Sequence, residues 1–210
     1  MRVPHRWFVV LSSTLAFIAT WSGSAIARNF SISNRQIRVV WTPLTWSEPF
    51  NFFNVRCNVT LEGSLHSNTI AKVIGSLIGY ITRAAISRPC TGGEAWFWNG
   101  AEGELTDAST TLPWHLRYQG FTGTLPNIST VRISLHNLKL TIKNGVCLGT
   151  YAPASLNFSF NVSAARTATL TPGSEVIVPI AGTCPETRHT GTSNTVTLLG
   201  TTTAITLFLI

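Results

Sequence analysis

Cys57 to Cys90 reads CNVTLEGSLHSNTIAKVIGSLIGYITRAAISRPC. Around its first half Val55, Cys57, Val59, Leu61 and Leu65 fall on one parity, with Gly63 in the same register. Arg56, Asn58, Thr60, Glu62 and Ser64 fall on the other. This period of two predicts a half-buried strand, and Gly63 predicts a bulge or the close approach of another backbone. The second half mixes two periods. Ile70, Val73, Ile74, Leu77, Ile78 and Ile81 make a helical stripe that Ser67 or Asn68 could cap. Gly75 and Gly79 oppose a helix, each at a cost of about 1 kcal/mol, and residues 77–86 are rich in β-branched side chains. The reading adopted is a short helix near 69–74 followed by a strand over 76–87. A single helix over 69–85 is the alternative.

Strand signals continue on both sides. Ile37, Val39 and Trp41 suggest an edge strand, and Pro43 and Pro49 bracket a connector. Residues 91–113 read as a long Gly-bearing loop, after which Trp114, Leu116 and Tyr118 alternate with His115 and Arg117. Val131, Ile133 and Leu135 form another alternating run. The apolar phase slips before Leu138, Leu140 and Ile142, which predicts a bulge near His136 and Asn137. Asn144-Gly145 is a hairpin signal. Leu156, Phe158, Phe160 and Val162 alternate again, and short strand-like runs follow from Glu175 to Ile180 and from Thr195 to Ile210. The fold class is therefore mainly β: an antiparallel β-sandwich or open barrel of roughly ten strands with one short helix.

Residues 1–27 read as a secretory signal peptide. Arg2 and Arg6 precede the apolar run at 7–21, and Ala25 and Ala27 hold the small-residue cleavage positions. The run is shorter than the ~20 residues of a spanning helix, so no membrane span is expected in the mature chain. Residues 28–210 then form one disulfide-bonded β domain. Four cysteines in an oxidising compartment imply two disulfides with three possible connectivities. Cys57–Cys90 and Cys147–Cys184 are preferred, because each pair brackets a compact block of similar length. No C-x-x-C and no His at ligand spacing accompany them, which argues against zinc. Charged residues are only 11% of the chain, where about 25% is usual. Ser, Thr and Asn supply the polarity, as suits wet strand faces and turns. The formal charge is +7, and without Arg2 and Arg6 of the signal segment the remaining 13 basic and 8 acidic residues leave +5, which favours weak attraction to anionic cell-surface polymers. No Lys/Arg run is present, so nucleic acid is not an expected partner.

Three places could carry function. The first is an acidic loop whose Glu94, Glu102, Glu104 and Asp107 could hold Ca²⁺ or act on a glycosidic bond. The second is an aromatic set, Trp96, Phe97, Trp98, Trp114, Tyr118 and Phe121, which could form a face for sugars or hydrocarbon. Neighbours on a strand point to opposite sides, so at least one of residues 96–98 should pack inward. The third is the strand-like run Ala204–Ile210, which could pair with a second copy by strand addition. His66, His115, His136 and His189 are isolated in sequence. No G-x-S-x-G, H-E-x-x-H or P-loop occurs, and Asp107 is the only aspartate. No catalytic residue and no cofactor are assigned. Sequons at Asn29, Asn58, Asn127, Asn157 and Asn161 matter only where secreted chains are glycosylated.

The run CNVTLEGSLHS, the CTGG at Cys90, the LPWHL at Leu112 and two later cysteines together resemble small secreted bacterial proteins related to the activators of alkane oxidation. That resemblance implies an extracellular, non-enzymatic accessory role near hydrophobic substrates. The functional expectation is a secreted binding or accessory protein of the cell surface, contacting a hydrophobic or glycan ligand or a surface polymer. A self-associating structural subunit and a polysaccharide hydrolase are the alternatives.

Overall fold

The computed structural model describes residues 29–50, 53–98, 111–124 and 127–210. Its strands in chain order are β1 (Asn29–Ile32), β2 (Gln36–Ser47), β3 (Asn54–Leu65), β4 (Thr69–Ala71), β5 (Leu77–Thr91) and β6 (Glu94–Phe97). β7 (Trp114–Thr124), β8 (Asn127–His136), β9 (Leu140–Lys143), β10 (Leu148–Tyr151), β11 (Leu156–Val162) and β12 (Ala168–Pro172) follow. The remainder are β13 (Val176–Ile177), β14 (Pro179–Gly182), β15 (Thr187–Gly191), β16 (Asn194–Thr195), β17 (Thr197–Leu198) and β18 (Leu207–Leu209).

β3 behaves as its alternation requires. Val55, Cys57, Val59, Leu61 and Leu65 are all buried, and the strand pairs antiparallel with β2 on one side and β5 on the other. Gly63 meets both expectations. The ladder shifts between Glu62 and Gly63, and a Cβ there would lie 2.2 Å from the Tyr80 carbonyl oxygen.

The helix expected near 69–74 is absent, as is the longer one over 69–85; the described residues contain no helix. Thr69–Ala71 is β4, paired with β1. Only Ile70 of the helical stripe's first turn is buried, whereas Val73 is 61% and Ile74 73% exposed. Gly75 then turns the chain at φ +79°, a conformation that suits glycine and ends a helix. β5 is longer than the run read from the sequence, because it spans the whole of β3. The loop expected over 91–113 contains a strand, β6, paired with β9. β2 is not an edge: it lies between β3 and β15. The phase slip after Leu135 is not a bulge within one strand. β8 ends at His136, Asn137 adopts φ +69°, and β9 starts in a different sheet. Asn144 does make the hairpin, its Oδ1 accepting from the backbone N–H groups of Val146 and Cys147.

The main sheet runs β13-β15-β2-β3-β5-β7-β8-β11-β12-β16 and curls into an antiparallel half-barrel. Residues 194–198 bridge its open side. β16 pairs with β12 at Thr169–Thr195, and β17, one residue further on, pairs with β2 at Arg38–Thr197. Side chains from successive strands of this ring converge inside it, among them Val39, Leu61, Leu116, Ile133, Leu170 and Val196, around a gap of only about 20 Å³. Two smaller sheets, β18-β1-β4 and β14-β10-β9-β6, pack on this core. Ile32, Ile70 and Leu207 of the first meet Ile133 and Phe160. Phe97 and Leu140 of the second meet Trp46 and Leu156. The buried apolar residues form one cluster.

Both preferred disulfides are present. Cys57–Cys90 joins β3 to β5, and Cys147–Cys184 closes the β10–β14 corner.

Candidate functional site

The aromatic set does not form an exposed face. Trp114 and Tyr118 point inward with the alternation of β7, and Phe97 joins them: all three are nearly inaccessible, and Trp96 is buried too. Phe97 packs edge-on to Trp114 at 5.0 Å and to Trp46 at 6.5 Å between ring centroids. Phe30 bridges Tyr118 and Phe121, at 6.0 and 5.7 Å, and Phe121 is half-buried. Burial holds the Tyr118 hydroxyl above its usual pKa, with Arg132 opposing. Trp98 is half-buried, but its ring is covered by the Lys139 ammonium 3.0 Å from the centroid, while its Nε1 donates to Thr141 Oγ1. These are cation–π and core contacts, and they leave no stacking platform.

Of the acidic candidates, Glu94 is exposed and stands opposite Lys143 in the β6–β9 ladder. Glu102, Glu104 and Asp107 lie outside the described residues, as does the segment read as a signal peptide. Among the described residues no three His, Cys, Asp or Glu side chains gather as a metal site. The run Ala204–Ile210 finds a partner within the chain: β18 pairs with β1, and Ile205 and Leu207 are buried.

The histidines prove less isolated than the sequence suggests. Tyr80 lies between His66, just past the end of β3, and His115 of β7, in tilted and edge-on contacts at 4.9 and 5.3 Å, and His115 faces His136 across β7 and β8. Gln119 Nε2 donates to Ser134 Oγ at 2.6 Å, and Ser134 Oγ lies 2.8 Å from His136 Nε2. Desolvation lowers the His136 pKa, reinforced by Arg117 and opposed by a hydrogen bond with the Ala154 backbone. A serine and a histidine at this distance resemble part of a nucleophile–base couple. Ser134, however, is only 1% exposed and its oxygen is already engaged by Gln119, so the arrangement orders a polar network. His189 sits in the core between Phe158 and Glu175.

Two sizeable concavities open on the surface of the described residues: one of about 520 Å³ beside Ile128, Arg166 and Phe208, and a more cationic one on β2, β3 and β5. Register places Arg38, Glu62 and Arg83 in one cross-strand row. Glu62 holds both guanidinium groups, Oε1 at 3.4 Å from Arg38 Nε and Oε2 at 3.1 Å from Arg83 Nη1. Beside this row opens a groove of about 450 Å³ lined by Ala85 and Ile86 together with Arg38, Arg83, Arg88, Thr60 and Ser87. Sequence reading missed it because Arg38 of β2 lies more than forty positions from Arg83 and Arg88 of β5, and only strand pairing through β3 brings them together. The available signal was that Arg38 and Glu62 occupy the wet parity of alternating runs, whereas the irregular burial of β5 around Arg83 hid the third member.

With this geometry in hand, the chain matches no protein-family profile, no curated protein and no solved structure.

Proposed function

We propose that the chain is an exported, non-enzymatic binding protein that works outside the cell through the outer face of β2, β3 and β5. The observation that carries this reading is a groove of about 450 Å³ on the outside of a strand ring whose inside retains only about 20 Å³. A pocket for a small molecule usually offers about 300–1,000 Å³, and a space of about 20 Å³ holds one water at most. A ligand therefore meets this protein on its surface. Two disulfides suit an oxidising compartment. No described helix is long and apolar enough to cross a membrane. The hydrophobic role implied by the resemblance loses its aromatic face, whereas the surface-polymer role gains a charged groove.

Expression of the full chain in a secreting host, followed by N-terminal sequencing and cosedimentation with insoluble cell-surface polymer, tests the proposal. The expected result is a protein starting at Arg28, with both disulfides formed, that sediments with the polymer without releasing reducing sugar. A chain that retains Met1 and free thiols inside the cell overturns export. Release of reducing sugar overturns the non-enzymatic reading.

A further inference from the structure

We infer that the groove on β2, β3 and β5 binds the oxyanions of an acidic saccharide chain, carried as sulfate or carboxylate groups. This deepens the proposed function and rests on it. The argument begins with charge. Arg38, Arg83 and Arg88 all line the groove, and the row formed by Arg38, Glu62 and Arg83 contains one carboxylate for two guanidinium groups. Glu62 is not part of the lining, so the surface that a ligand meets is cationic. The donor count follows. Each of Arg38 and Arg83 is held through a single contact with Glu62, and a guanidinium has five N–H donors. Donors remain for a ligand on two guanidinium groups that Glu62 draws toward one side of the groove.

Chemistry then narrows the partner. Guanidinium groups recognise planar or tetrahedral oxyanions through paired hydrogen bonds. Thr60 and Ser87 line the same groove, and their hydroxyls can exchange hydrogen bonds with sugar hydroxyls. Ala85 carries only a methyl group and leaves room for a ring. Single-stranded nucleic acid also carries oxyanions, but its binding sites add aromatic platforms, and no aromatic residue lines this groove. An acidic saccharide fits better.

Titration calorimetry of the disulfide-bonded protein with dextran sulfate, oligogalacturonate and neutral dextran tests this. One or both acidic chains are expected to bind, neutral dextran is not, and affinity falls as salt screens the charges. The stronger acidic chain identifies sulfate or carboxylate as the preferred group. Arg83→Gln with Arg88→Gln should weaken binding roughly tenfold or more, as expected for lost charge-assisted hydrogen bonds. Arg132→Gln with Arg188→Gln removes the same charge from exposed positions outside the groove and should change affinity less than about twofold. Should the groove variant fail to fold, phenylglyoxal footprinting of the unaltered protein decides: saccharide should shield Arg38, Arg83 and Arg88 and leave Arg132 and Arg188 reactive. Equal losses in both double variants, equal shielding everywhere, or tighter binding of a single-stranded oligonucleotide would overturn the inference. A protein that sediments with surface polymer but ignores the Arg83/Arg88 change defeats the groove alone. A protein that does not sediment defeats the reading beneath it.

Discussion

His189 shows what one buried side chain asks of its surroundings. It is 1% exposed, and neither ring nitrogen finds a partner of good hydrogen-bond geometry, although the Glu175 backbone lies close enough to favour the protonated ring. Desolvation lowers its pKa, and the Glu175 carboxylate 3.6 Å away opposes that shift without cancelling it. The unfolded chain therefore takes up a proton near pH 6.5, while the folded chain resists until lower pH. Stability is full above about pH 6.5 and declines as the pH falls from there toward the folded-state pKa. Thermal melts between pH 7.5 and 5 should show this decline, and His189→Gln should flatten it. An equally steep decline in the variant would assign the effect to other groups. Gly63 makes a steric case at the same scale. An added Cβ would meet the Tyr80 carbonyl oxygen at 2.2 Å, and backbone cannot step aside as a flexible side chain does. Gly63→Ala should cost about 1–3 kcal/mol, the usual range for overpacking, read as a lower denaturation midpoint with an unchanged slope.

At the scale of elements, β18 is short but secures much. Leu207 is 2% and Ile205 1% exposed, and Leu207–Leu209 pairs with β1. Leu207→Ala should destabilise by about 2–5 kcal/mol. Truncation after Thr203 should abolish the cooperative melt, and a folded monomer that merely loses self-association would contradict this account. Loss of either disulfide, by Cys57→Ser with Cys90→Ser or by the equivalent pair at 147 and 184, should cost roughly 3–4 kcal/mol on chain-entropy grounds. β3 and β11 were legible in the sequence because one face of each is wet, so apolar and polar residues separate by parity. Residues 69–74 were not. Their apolar pattern matched a helix, yet Val73 and Ile74 are exposed, and apolarity alone does not say which residues find a core. The aromatic set misled for the same reason: Trp114 and Tyr118 belong to the inward parity of β7, and side-chain type does not report which side of a sheet is dry. The arginine groove depends on strand register, which pairs Glu62 with Arg38 and Arg83 and leaves no local run of charge to read.

At the largest scale, the described residues form a half-barrel bridged by residues 194–198, filled by its own side chains and covered by two small sheets. The sequence conveyed a mainly β class, with one helix too many, and both cystine pairs. It did not convey closure, because residues 194–198 are a short polar-looking run whose two pairings reach β12 and β2. A filled ring makes a solution prediction: a long-chain apolar ligand should leave the melting temperature unchanged, since only a ligand that binds the folded state raises it. A clear rise would show that the interior can open. Closure also orders events in time. Thr197 Oγ1 donates to the Arg38 carbonyl across 159 positions, whereas the disulfides span 33 and 37. Contacts so distant in sequence form late, after loop-closure entropy has been met. A newly made chain is thus an open ribbon that seals only when residues 194–198 arrive, and the Ile37–Arg38 segment of β2 that they cover stays open to neighbouring chains until then.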